Sequence, residues 1–86
     1  LAVVVADDVS AAAVLQEVRA EVGALLRDAF VFDVYRGKGI PEGHKSLAIG
    51  LILQESSRTL TDEDVDEVIG RTVSRLGREL GAVLRE

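Results

Sequence analysis

The 86-residue sequence has no cysteine, a single histidine and a single proline. Without cysteine there is no disulfide frame, which suits a reducing compartment, and one histidine leaves zinc and other soft metals without a ligand set. Long apolar runs are missing too. The longest, near Leu1 to Ala6 and Leu47 to Leu53, fall far short of the ~20 residues that span a bilayer. Leu1 to Ala6 also lacks the basic flank and the length of a signal peptide. A soluble, cytoplasmic protein with no membrane partner is expected. The chain carries no initiator Met and opens directly on a strand-like run, so residues 1–86 are expected to be one domain cut from a longer polypeptide. Aromatic residues make up only 3%, which removes the aromatic-rich sheet signature of ordinary RNA-recognition motifs.

What is present is enough for one small core: 48% of the residues are hydrophobic, and a chain of this length has no room for a second domain. The net charge of −5 argues by itself against a polyanionic partner. Its distribution says more. Residues 1–26 set four acids against Arg19, and residues 61–86 set seven acids against four arginines, so each end carries −3. Residues 27–60 set five bases (Arg27, Arg36, Lys38, Lys45, Arg58) against four acids, or +1. An anionic partner would therefore meet the middle.

In chain order, the β-branched run Leu1 to Ala6 predicts a buried strand ended by Asp7-Asp8. Ser10 can cap a helix over residues 10–23, where Val14, Leu15, Val18 and Val22 recur at helical spacing before Gly23. A connection through Ala24 to Arg27 leads to a strand over Ala29–Arg36, rich in aromatic and β-branched residues. The glycine-rich turn Gly37 to Gly43 follows, and then a strand from His44 to Gln54. In that strand Leu47, Ile49, Leu51 and Leu53 alternate with Ser46, Ala48, Gly50, Ile52 and Gln54, so one face is buried and one is bare and lined by small side chains. Thr61 with Asp64 makes an approximate capping box for a second helix, whose apolar face runs Val65, Val68, Ile69, Thr72, Val73, Leu76 and Leu80 until Gly81. Residues 82–85 leave room for one last strand.

The order β-α-β-β-α-β predicts an α+β, ferredoxin-like fold: a four-stranded antiparallel sheet with two helices on one face and the other face free. Several motifs come to nothing. Gly39 to Ser46 imitates a P-loop, but His44 replaces the second glycine and the segment joins two strands. His44 has no second histidine or patterned carboxylate beside it, Ser46, Ser56 and Ser57 lack a nucleophile-elbow setting, and Asp62 to Asp66 lacks the spacing of a calcium loop. No catalytic residue and no metal ligand is expected.

The run FDVYRGKGIPEGHKSLAIGLILQ with RTLTDEDVDEVIGRTVSRLGRELGAVLR resembles the ferredoxin-fold anticodon-binding domain that ends the beta chain of bacterial phenylalanyl-tRNA synthetases. Its markers are Phe32 to Gly37, Gly39 to Gly43, Lys45 to Ala48, Arg58 to Asp62 and the final Leu84-Arg85. The resemblance implies a module that grips the anticodon stem-loop of phenylalanine tRNA, tRNA(Phe). The remainder of the beta chain and the alpha chain would be its protein partners. It also implies that aminoacylation, with ATP and Mg²⁺, occurs elsewhere in that parent enzyme.

RNA loops are read by unstacked bases lying on a sheet, with basic residues on phosphates. If Phe32 and Val34 face the helices, Asp33 and Tyr35 face outward with Ser46, Ala48, Gly50 and Ile52. Tyr35 could then stack on a base, or simply cover a sheet edge, and Asp33 could accept from a base edge. Arg36 and Lys38, on the glycine-rich loop, are phosphate candidates. Lys45 is either a further contact or a solvated surface lysine, and Arg58 could instead cap or pair with Asp62 to Asp64. The alternative is a ferredoxin-like protein-interaction or small-molecule regulatory domain without RNA binding.

Overall fold

A computed structural model describes residues 1–55 and 59–85. The elements are β1 (Ala2–Ala6), α1 (Ala11–Val22), β2 (Leu26–Tyr35), β3 (His44–Leu53), α2 (Asp62–Leu80) and β4 (Val83–Leu84). The four strands form one antiparallel sheet in the order β2-β3-β1-β4. Each helix therefore crosses over a strand that is inserted later or earlier in the chain, which is the split β-α-β arrangement.

Both helices begin where short polar side chains satisfy their first N–H groups. Ser10 accepts from the Ala13 N–H at 3.0 Å, and Gly23 follows the last turn of α1. At α2 the Thr61 hydroxyl accepts from the Asp64 N–H (3.2 Å) while the Asp64 carboxylate accepts from the Thr61 N–H (3.0 Å). Such a reciprocal cap contributes about 1 kcal/mol. Asp62, Glu63 and Asp64 also place negative charge at the positive end of the helix dipole.

The core lies between the helices and one face of the sheet. Val14, Val18 and Val22 of α1 and Val68, Thr72 and Leu76 of α2 are buried against Val3 and Val5 of β1 and Leu47 and Ile49 of β3. Thr72 can be fully buried because its hydroxyl donates to the Val68 carbonyl at 2.7 Å. The helices are pinned to each other by Arg75, whose Nε donates to Glu17 Oε1 at 3.0 Å. That hydrogen bond, opposed by desolvation and helped by the nearby acids, holds the guanidinium pKa above its ordinary value.

Two features of β2 depart from expectation. It starts at Leu26, three residues earlier than the composition predicts, because the ten-residue β3 offers a full-length template: Leu26 pairs with Leu53, and the Gln54 N–H donates to the Leu25 carbonyl at 2.8 Å. A short 3-10 turn, Gly23–Leu25, fills the connection instead. The register also shifts twice, between Leu26 and Asp28 and between Val31 and Asp33. The second shift decides which side chains β2 places on the helix-free face. Val31 pairs with Ile49 and Asp33 pairs with the next residue of β3, Ala48, leaving Phe32 as the extra residue of a bulge.

Candidate nucleic-acid interface

The face of the sheet away from the helices is built by cross-strand partners. Asp33, Ala48 and Ala2 lie side by side on β2, β3 and β1, and Tyr35, Ser46 and Val4 form the next row. Asp33 and Tyr35 therefore share the helix-free face with Ala48, as the alternation requires. Phe32 does not face the helices. The bulge releases it from the alternation, it is 65% exposed, and its ring lies 6.2 Å from that of Phe30. Val34 keeps the helix-side position opposite Leu47 but lies beyond the reach of the core and is exposed.

The small-residue row is less open than its composition suggests. Gly50 is opposite Phe30, whose ring lies directly on it: a Cβ at Gly50 would come within 2.5 Å of Phe30 Cζ. Gly50 is ground already taken by the protein's own ring. Substituting alanine there should force Phe30 off the sheet and cost about 1–3 kcal/mol, read as a lower thermal midpoint. Phe30→Ala in the same chain should recover part of that loss. At the other end Ser46, expected to be bare, is only 3% exposed.

The same face carries Arg85, which the sequence marks only as part of the closing Leu84-Arg85 pair. Its N–H donates to the Ala2 carbonyl at 2.8 Å, continuing β4 along β1, and its guanidinium sits 4.9 Å from the centroid of the Tyr35 ring. β4 and β2 are separated by two strands, about 14 Å between the outer pair, so the two side chains reach towards each other across β3 and β1. The contact is a cation–π pair. Tyr35 is held from its other end by its hydroxyl, which donates to the Lys38 carbonyl at 3.0 Å. Tyr35 and Arg85 thus stand at one end of the cross-strand row Asp33, Ala48 and Ala2, with the exposed Phe32 beside Asp33 on β2; this flat row between the side chains is the slot.

The remaining candidates divide. Lys38 is exposed on the loop beside the slot. Arg36 follows Tyr35, and its Nε donates to Asp7 Oδ1 at 3.1 Å. Lys45 is opposite Val5 on the helix side, is 9% exposed and donates to the Asp7 carbonyl at 3.1 Å, so it is not a solvated surface lysine. His44 is exposed, with Nδ1 3.1 Å from the Glu42 carbonyl oxygen. The readings of Ser56, Ser57 and Arg58 lie outside the described residues. Among the described residues no group of three His, Cys, Asp or Glu could hold a metal ion, and no helix is long and apolar enough to cross a membrane.

A family model described as "Ferredoxin-fold anticodon binding domain" matches residues 1–85. The chain belongs to the ferredoxin-fold anticodon-binding domain family. It is 52% identical over 86 residues to the phenylalanine–tRNA ligase beta subunit of Methylococcus capsulatus, covering 100% of this chain and 11% of that protein. The beta subunit of Xanthomonas axonopodis pv. citri is 54% identical over 85 residues (99% and 11%), and that of Colwellia psychrerythraea 50% over 86 residues (100% and 11%). This anticodon-binding-family domain thus spans about 11% of the length of the curated relatives it matches. Of the eight candidates from sequence, the fold gathers Tyr35, Asp33, Ser46 and Ala48 at the slot, leaves Lys38 exposed on the following loop, puts Gly50 under Phe30, and bonds Arg36 and Lys45 to Asp7.

Proposed function

We propose that this domain holds the anticodon stem-loop of tRNA(Phe) on its helix-free sheet face, as the tRNA-binding module of a phenylalanine–tRNA ligase beta chain. The observation that carries the reading is the slot itself: an aromatic ring and a guanidinium at one end of a flat row of two alanines and a carboxylate. Flat π surfaces accept an unstacked base, small side chains let it approach, and Asp33 offers an acceptor to a base N–H. Arg85 and Lys38 supply the positive charge for phosphates in a chain that is otherwise acidic. Aminoacylation, with its ATP and Mg²⁺, belongs to the rest of the parent enzyme and its alpha chain, and a cytoplasmic location follows from the same reading.

Tyr35 is the only tyrosine and tryptophan is absent, so intrinsic emission reports on this ring alone. Titration with tRNA(Phe) should quench it, with an affinity that falls as salt rises and exceeds that for a non-cognate tRNA. Since a larger ligase adds contacts of its own, the cognate and non-cognate comparison is repeated in the assembled enzyme with fluorescein-labelled tRNA, because the emission of other aromatic residues there would mask Tyr35. Absence of quenching in the isolated domain, together with a tRNA affinity of the assembled enzyme that is unchanged by Tyr35→Ala, would favour the second reading, a protein-docking module, which draws on the exposed apolar trio Phe30, Phe32 and Ile52.

A further inference from the structure

Asp7, in the turn between β1 and α1, meets the base of the β2–β3 loop from three directions. Its N–H donates to the Gly43 carbonyl (2.9 Å), its carbonyl accepts from Lys45 Nζ (3.1 Å), and its carboxylate accepts from Arg36 Nε (3.1 Å). Arg36 leaves β2 and Lys45 lies at the start of β3, so one residue ties together both ends of the loop. We propose that Asp7, Arg36 and Lys45 form a clasp that positions the Tyr35 ring and the Lys38 loop for RNA, with Arg36 a strut and not a phosphate contact. The proposal rests on the RNA reading above.

The loop needs such a clasp. Gly37 and Gly39 adopt φ of 138° and 90°, conformations that glycine reaches easily and also leaves easily. Within the loop the backbone bonds are the Ile40 N–H to the Gly37 carbonyl and the His44 N–H to the Pro41 carbonyl. Neither ties it to β1. The loop supplies the Lys38 carbonyl that anchors the Tyr35 hydroxyl, so loop disorder passes directly to the ring, and binding must then bear the entropy of ordering both. Lys45 is buried with its ammonium on the same residue, which makes the closure part of the packed structure.

Charge gives the test its sign. Asp7 is an acid near a site for a polyanion, so simple electrostatics makes Asp7→Ala bind RNA more tightly; loss of the carboxylate arm of the clasp, the one bond of the three that does not use the Asp7 backbone, makes it bind more weakly. We expect Asp7→Ala and Arg36→Gln each to weaken binding of fluorescein-labelled tRNA(Phe) about three-fold, the scale of an exposed ion pair, with the salt slope unchanged. The swap Asp7→Arg with Arg36→Asp should restore affinity, and amide hydrogen exchange in the RNA-free protein should quicken in Asp7→Ala at Ile40 and His44, whose N–H groups make the bonds within the loop. Exchange is read on the folded variant, whose thermal midpoint is checked first; if Asp7→Ala does not fold, Arg36→Gln carries the same measurements. Unchanged or tighter binding by Asp7→Ala, or a salt slope that falls by about 0.7–0.9 in Arg36→Gln as for one lost phosphate contact, overturns the clasp. If Tyr35→Ala still weakens binding in that case, the RNA reading stands alone; if it does not, both fall.

Discussion

Replacing Tyr35 by alanine is expected to weaken tRNA(Phe) binding by about 5- to 150-fold, the 1–3 kcal/mol that a base stacked on an aromatic ring contributes, while the protein stays folded. The ring is 38% exposed and lies on the face away from the core cluster, so its loss opens no internal cavity. What disappears is the stacking surface and, with it, the partner that holds Arg85 across the sheet. Tyr35→Phe separates the two parts of its role. It keeps the ring and the cation–π contact but removes the hydroxyl that donates to the Lys38 carbonyl, and should cost about three-fold, as the clasp variants do, well short of the loss in Tyr35→Ala. Fluorescence anisotropy of labelled tRNA, at two salt concentrations, checks both variants. Equal binding by Tyr35→Ala and the parent chain would remove the slot from the RNA site.

Leu76→Ala is the second large effect, on stability this time. Leu76 is fully buried at the centre of the α2 face that packs on the sheet. Truncation loses the transfer free energy of its methyl groups and leaves a cavity that the surrounding valines cannot fill, a combined cost of about 2–5 kcal/mol. A chain of this size is stable by only about 4–13 kcal/mol, so a large fraction is lost. The thermal midpoint, followed by circular dichroism, should fall on the order of 10–30 °C. RNA affinity measured well below that midpoint should change little, since α2 lies on the opposite side of the sheet from the slot. A midpoint within a few degrees of the parent would mean that this face of α2 is not the core contact.

The two substitutions divide the molecule as its sequence does. The α2 stripe is legible because each of its signals is local: Thr61 and Asp64 sit three residues apart, the apolar residues follow the helical period, and Gly81 closes the last turn. The ten residues of β3 are legible for the same reason, their alternation being a property of one strand. Even the family resemblance is carried by continuous runs of residues. Sequence also marks the middle of the chain as the one segment without net negative charge.

The site itself is not local. Whether Phe32 faces the helices depends on how many residues of β2 oppose those of β3, and a single extra residue reverses the answer. Gly50 counts as open floor until Phe30 is laid across it from the neighbouring strand. Lys45 reads as a surface lysine until the turn after β1 brings the Asp7 carbonyl to its ammonium.

Helix caps, strand periods and the order of elements were thus determined by the chain alone, because each depends on residues within a few positions of one another. Strand register, the bulge at Phe32 and the meeting of Arg85 with Tyr35 were decided only by tertiary structure. Those contacts join segments far apart in the chain, and no short-range pattern can specify which side chain a neighbouring strand will place beside another.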